Sequence, residues 1–255
     1  MVKDKHSKKK LKILAVLPAR YGSTRLPGKP LIRINGKSII QYVFENVSKS
    51  KLIDKIIVAT DDARIYEESE KFGCGAVMTP ADCKSGGDRI AYAVKNCGLD
   101  GYDIIANVQG DEPLLKSEDV DAAIIRLIEN DSDISTLAIK FKKEEDVKNP
   151  NYVKVVFDNK FNALYFSRSV MPYPRDSVIK PEIYYKHIGL YVYRKKTLLE
   201  FETLPESILE NYEKLEQLRF LENGYGISAA ITGNETIGID TPEDIIKFEK
   251  TLTSK

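Results

Sequence analysis

Apolar and polar positions along the chain alternate between short continuous runs and longer amphipathic ones. Ile13 to Leu17 (ILAVL) is an apolar run of strand length that ends at Pro18. Lys55 to Thr60 (KIIVAT), Ala76 to Thr79 and Ile104 to Gln109 (IIANVQ) repeat that texture. The KIIVAT run stops at Asp61-Asp62 and the IIANVQ run at Gly110-Asp111. Such runs between turn residues mark strands covered on both faces. Ser38 to Ser50 sets Ile39 or Ile40, Val43, Phe44 and Val47 at helical spacing. Ala63 to Phe72, closed by Gly73 and Gly75, and Asp88 to Cys97 also read as helices. The alternation predicts an α/β fold: a Rossmann-like, mostly parallel central sheet with helices on both faces.

The texture changes near Asp133. ISTLAIKF, VKVVFD and NALYFSRS read as strands, the last two joined through Asp158-Asn159-Lys160 as a hairpin. Residues 133–193 are expected to form a smaller β-rich excursion, too apolar for a linker, which either covers a site or pairs with another subunit. Helices are predicted at Thr197 to Phe201 and Glu213 to Glu222, and a strand at Ile227 to Ile231. A last helix starts at Pro242, with Thr241 as its N-cap. Residues 1–11 are expected to be a disordered basic tail, and 12–255 a single domain.

Charge and cysteine usage narrow the class. The 255 residues carry a net charge of +1, so no global field argues for nucleic acid or a membrane surface. The three cysteines form no C-x-x-C pair, which argues for a reducing cytoplasm. Two histidines are too few for a His/Cys zinc cluster. No apolar run approaches the ~20 residues of a membrane helix, and the basic N-terminus lacks the apolar region of a signal peptide.

The candidate chemistry begins where the first strand ends. Leu14 to Leu31 (LAVLPARYGSTRLPGKPL) empties a buried strand into a Gly/Pro-rich loop carrying Arg20, Arg25 and Lys29. Such a loop presents positive charge and backbone N–H groups to phosphates. It is not a P-loop, because Gly22 and Gly28 are one residue too far apart and Pro30 replaces the metal-binding hydroxyl; nor does a G-x-G-x-x-G follow the strand. Asp61, Asp111 and Asp240 also follow apolar runs, at the strand ends where ligands of open α/β sheets bind. Paired acids facing phosphates suit Mg²⁺, although an Asp in such a place can equally cap a turn or start a helix.

LPARYGSTRLPGKPL closely resembles the opening loop of the CMP-Kdo synthetases, the sugar nucleotidyltransferases that activate 3-deoxy-manno-octulosonate (Kdo). NVQGDEP, ALYFSRS, KHIGLYVYR, EKLEQLR and IDTPEDI resemble the same family in the same order. The resemblance implies an enzyme transferring CMP from CTP to the anomeric hydroxyl of Kdo, with loss of pyrophosphate, for lipopolysaccharide synthesis. It implies Mg²⁺ on Asp111 and Asp240, and a homodimer in which 133–193 serves both sugar binding and dimerisation. Arg20, Ser23 and Lys29 would contact the triphosphate, and Arg25 either assists or pairs with a carboxylate elsewhere. Pro18, Ala19, Ser85 and Asp88 would border the base. Gln109, Arg168, His187, Tyr191, Glu216 and Gln217 would line the sugar pocket, Arg168 taking the sugar's carboxylate.

Bland roles stand beside these. A strand Arg such as Arg168 is often a structural ion pair, His187 a satisfied strand histidine, and Glu216 and Gln217 a solvated helix face. For Asp61 and Asp62 a structural or indirect ribose role is expected. Pro80, Cys83 and Gly87 stand where the family commonly carries a basic residue, a His and a Thr, so the choice of cytosine rests on the whole pattern. A cytidylyltransferase for an 8-amino or sialic-like sugar, a non-catalytic nucleotide-sugar binder and a glycosyltransferase are the competing readings.

Overall fold

The structure is a computed structural model, describing residues 10–22, 26–205 and 207–253. In chain order its strands and helices are β1 (Ile13–Ala19), the small hairpin β2 (Arg33–Ile34) and β3 (Lys37–Ser38), α1 (Ile39–Val47), β4 (Lys55–Thr60), α2 (Ala63–Lys71), β5 (Gly75–Met78) and α3 (Gly86–Asn96). Then follow β6 (Ile104–Val108), α4 (Ser117–Glu129), β7 (Ile134–Lys140), α5 (Glu144–Lys148), β8 (Lys154–Phe157) and β9 (Ala163–Ser167). The chain continues through β10 (Tyr185–Arg194), α6 (Lys195–Glu200), α7 (Ile208–Glu213), α8 (Gln217–Glu222), β11 (Ile227–Thr232) and α9 (Pro242–Thr253).

The main sheet runs β11-β7-β10-β6-β1-β4-β5, with β8 attached to β10 and β9 to β8. Its β1–β4, β1–β6, β4–β5 and β7–β11 pairs are parallel, whereas β10 is antiparallel to both β6 and β7. The predicted α/β sheet is therefore the observed one. Two apolar layers cover it. Ala15, Leu17, Val58 and Val108 pack with α1 and α4 on one face, and Leu14, Val16, Ile57 and Ile105 with α3 and α6 on the other. β1 reads as an apolar run, and β6 as one interrupted only by the buried Asn107, because both strands are covered on both faces.

Three elements differ from the sequence expectation. The β-rich stretch does not stand apart: β7 and β10 are inner strands of the main sheet, and only the β8–β9 hairpin extends from it. The helix from Asp88 starts earlier, at Gly86, because the Ser85 hydroxyl accepts the Asp88 N–H and caps it. Of the helix expected over 213–222 only 217–222 forms, as α8, and Glu213 is instead the last residue of the short α7. Lys214 is left-handed (φ 55°), and the Glu213 carbonyl accepts the Arg168 Nε–H at 2.8 Å instead of continuing a helix. The expected tail meets the fold at its end, where Leu11 packs on the core and Lys10 reaches Asp54; its residues 1–9 lie outside the described residues.

Candidate active site

β1 is flanked by β4 and β6, and the chain returns from the β5 edge to β6 on the other side of β1. Strand order reverses there, which opens a crevice at the carboxyl ends of β1 and β6. Pro18, Ala19 and Arg20 lie at one strand end, and Gln109, Gly110 and Asp111 at the other. Gly110 has to be glycine, since a Cβ there would lie 2.9 Å from the Pro18 carbonyl oxygen. The returning loop is shaped by Gly28, left-handed at φ 68°, whose missing Cβ makes room for the Tyr21 ring. Pro30 follows in a short 3-10 turn that swings Lys29 inward, leaving its side chain 12% exposed.

The Lys29 ammonium donates to Asp111 Oδ2 at 2.6 Å and to Asp240 Oδ1 at 3.0 Å. Burial alone would lower the pKa of Lys29, but Asp111 and then Asp240 outweigh it and raise the pKa, so the side chain stays charged. The two acids come from distant segments that are joined by the Ile239 N–H, which donates to the Asp111 carbonyl at 2.9 Å. Asp240 itself precedes α9, whose start is held by Asp244: its carboxylate accepts the N–H groups of Asp240 and Thr241 and the Thr241 hydroxyl. This is a capping arrangement in which Thr241 is the cap, as expected.

Two carboxylates aimed at one cation suit a hard divalent ion that completes its shell with substrate phosphate oxygens and water. Among the described residues no group of three or more His, Cys, Asp or Glu side chains could hold a metal by itself. The donor set therefore fits Mg²⁺ brought with a nucleotide better than a resident structural ion.

Around this triad is a cavity of about 350 Å³, in the usual size range for a ligand pocket. Of the expected nucleotide residues, Pro18, Ala19, Arg20, Lys29 and Ser85 line it; of the expected sugar residues, Gln109 and Glu216 do. A wider hollow of about 1000 Å³ opens beside it, sharing Arg20, Ser85 and Glu216 and adding Asp88. The break after α7 is what carries Glu216 here. Its carboxyl opens on the cleft, close enough to Gly87 that a Cβ there would lie 3.1 Å from Oε2. Desolvation by the cleft walls, with Asp88 and Glu210 adding to it, raises the Glu216 pKa against the Ser85 hydroxyl and the Gly87 N–H. Ser23 and Arg25 lie outside the described residues.

The remaining expected sugar residues line neither cavity. His187 and Tyr191 sit side by side on β10 with ring centroids 5.3 Å apart. The Thr136 hydroxyl donates to the Leu190 carbonyl at 2.7 Å, so its oxygen accepts from His187 Nε2–H at 2.9 Å. Burial pushes the His187 pKa down to about 3, which keeps the imidazole neutral. Gln217 is buried at 4%, and its Nε2 has no partner among the described residues. Arg168, expected to face the sugar's carboxylate, is turned onto backbone instead: Nε donates to the Glu213 carbonyl and Nη1 to the Pro150 carbonyl at 3.1 Å.

Lys84 and Arg89 also line the cavity, and the sequence reading did not single them out. Arg89 is 3% exposed and donates to Asp61 at 3.0 Å and to the Thr79 hydroxyl. Asp61 thus braces Arg89 at the cavity wall, while Asp62 caps α2 through the Arg64 N–H. The overlooked signal was an arginine on the same helix face as Ala93, four residues on, where an apolar side chain would be expected.

Comparison with known proteins shows the family. The cytidylyltransferase family model matches residues 14–237. A 3-deoxy-manno-octulosonate cytidylyltransferase of Thermodesulfovibrio yellowstonii is 50% identical over 251 residues, spanning 94% of this chain and 98% of its own. An 8-amino-3,8-dideoxy-manno-octulosonate cytidylyltransferase of Shewanella halifaxensis is 46% identical, spanning 92% and 96%. The solved structure of a CMP:2-keto-3-deoxy-manno-octonic acid synthetase complexed with CTP superposes with a TM-score of 0.89 at 38% identity, covering 95% of this chain and 99% of that one. The chain belongs to the 3-deoxy-manno-octulosonate cytidylyltransferase family of sugar nucleotidyltransferases.

Proposed function

We propose that this enzyme transfers CMP from CTP to the anomeric hydroxyl of Kdo, releasing pyrophosphate, with Mg²⁺ held by Asp111 and Asp240. One observation carries this reading: Lys29, Asp111 and Asp240, far apart in sequence, meet at a single point in the crevice. When bound, Mg²⁺ neutralises phosphate charge and acidifies the sugar hydroxyl. Lys29 and Arg20 hold the triphosphate for in-line attack and stabilise the charge that builds as pyrophosphate leaves. No covalent enzyme intermediate is needed. Gln109 and Glu216, in the same cavity, orient the sugar, and Ser85 and the backbone of Pro18 and Ala19 border the base.

The experiment is pyrophosphate release with CTP, UTP, GTP or ATP against Kdo, 8-amino-Kdo and a sialic acid. Fastest turnover with CTP and Kdo is expected, and preference for a different pair overturns the substrate assignment. The 8-amino sugar is the second reading, because relatives acting on it by name are nearly as similar as those named for Kdo.

The cytoplasm is the proposed location, supported by the cysteine usage; no described helix is long and apolar enough to cross a membrane. A homodimer through the β8–β9 hairpin and the segment after it is also proposed, supported by Leu164, Tyr173, Val178 and Ile183, which stand more than half exposed. Sedimentation at twice the 28.8 kDa chain mass is expected, and a monomer at micromolar concentration would remove the dimer.

A further inference from the structure

We infer that Glu112 is a positioning residue: its side chain clasps the segment bearing Asp240 against the turn bearing Asp111, and so fixes the gap between the two acids. Glu112 follows Asp111 in a tight turn, its N–H donating to the Gln109 carbonyl at 3.2 Å. Its carboxylate does not point along that turn but lies over Gly238, two residues before Asp240. A Cβ at position 238 would come 3.2 Å from Oε1 and 3.7 Å from Cδ of Glu112, so the absent side chain is what admits the carboxylate. Burial and then the neighbouring Asp111 raise the pKa of this carboxyl, against the ammonium of Lys186 from β10 and the hydroxyl of Thr236 on the same segment. Lys186 is in turn held over the Tyr152 ring at 4.3 Å. Glu112 Oε2 is buried and has no hydrogen-bond partner among the described residues.

A half-satisfied acid next to two further acids is a costly thing to bury. The packing makes sense if the side chain is held for its reach. The backbone bond from Ile239 to Asp111 ties the two turns at one point, and rotation about it would change the gap between the acids. Contact between Glu112 and Gly238 supplies a second point and stops that rotation. Groups that orient metal-binding side chains typically affect metal affinity ~10–100-fold. Glu112 lines neither cavity, so its inferred action runs through Asp111 and Asp240.

The inference rests on the metal reading above, so its test needs a signal besides turnover. Mn²⁺ binding in the presence of CTP is measured by electron paramagnetic resonance for the parent, E112A, E112D, E112Q and G238A. Each is held at the same interval below its own melting temperature. Roughly tenfold or greater weakening is expected in E112A and in the shorter E112D, with E112Q, which keeps length and shape, recovering most of the loss. G238A, whose methyl group displaces the carboxylate, is expected to weaken Mn²⁺–CTP binding as well, and stands in should E112A not fold. Binding within twofold of the parent in E112A or G238A overturns the inference, and so does a loss in E112Q as large as that in E112A. D111N and D240N run alongside: if they too bind Mn²⁺–CTP normally, the metal reading itself has failed.

Discussion

At Lys29 one ammonium pairs with the two carboxylates proposed to hold Mg²⁺. On the proposed metal role, Asp111 and Asp240 would hold Mg²⁺ brought with CTP, and Lys29 would be left to pair with phosphate. Both acids have to be present for that exchange. D111N or D240N is expected to lower turnover at saturating Mg²⁺ by at least ~10²-fold, the scale of losing one preorganised electrostatic group; pyrophosphate release measures it, and near-parental rates remove the assignment. His187 gives a prediction of opposite character. In the fold it stays neutral down to about pH 3, while in the unfolded chain it binds a proton below its ordinary value of 6.5. The unfolded state thus gains protons as pH falls through that window, and stability drops. Urea titrations of the parent should show this loss between pH 6.5 and 4, and H187Q should show a shallower one.

Elements, more than single residues, separate what could be read from what could not. The strands of the Rossmann-like half were legible because their apolar runs are short, continuous and stopped by Gly, Pro or Asp, as in KIIVAT and IIANVQ. The α7–α8 break was not. Leu215, Leu218 and Leu221 keep helical spacing right across it, so periodicity predicts one helix. The break comes from a tertiary bond, Arg168 to the Glu213 carbonyl, that no local pattern encodes. The same bond holds Arg168 on backbone outside both cavities, while the expected length of one helix fails with it. Glu213 also accepts the Ser167 hydroxyl at 2.6 Å and the Arg168 N–H at 2.9 Å through its carboxylate. E213A removes those acceptors and is expected to cost ~1–3 kcal/mol in urea unfolding, the range for partly buried hydrogen bonds to a charged group. A loss below ~0.5 kcal/mol would mean that these two side-chain bonds do not hold the junction, leaving it to the Arg168 bond to the Glu213 carbonyl and the packing of Leu215 and Leu218.

Over the whole molecule, the first loop and the last helix share a small core of their own. Ile34 and Ile39 pack on Ile239 and Phe248, with the Tyr42 ring edge-on to Phe248 at 5.1 Å. This cluster is separate from the two that cover the sheet, and it docks α9 so that Asp240 meets Lys29. F248A is expected to destabilise the fold by ~3–5 kcal/mol, as for a buried Phe truncated to Ala. It should also weaken CTP binding below the melting temperature more than an equally destabilising cut in the α4 layer does; equal effects would show that the cluster serves stability only.

Lys29 and Asp240 are 211 positions apart. A chain still emerging from the ribosome can pair β1 with β4 and β6 and bury much of its interior long before it can grip a nucleotide. On the proposed role of Asp240, catalytic competence is then withheld until residue 240 has emerged, and a product cut short ahead of it would be inert without needing to be unfolded.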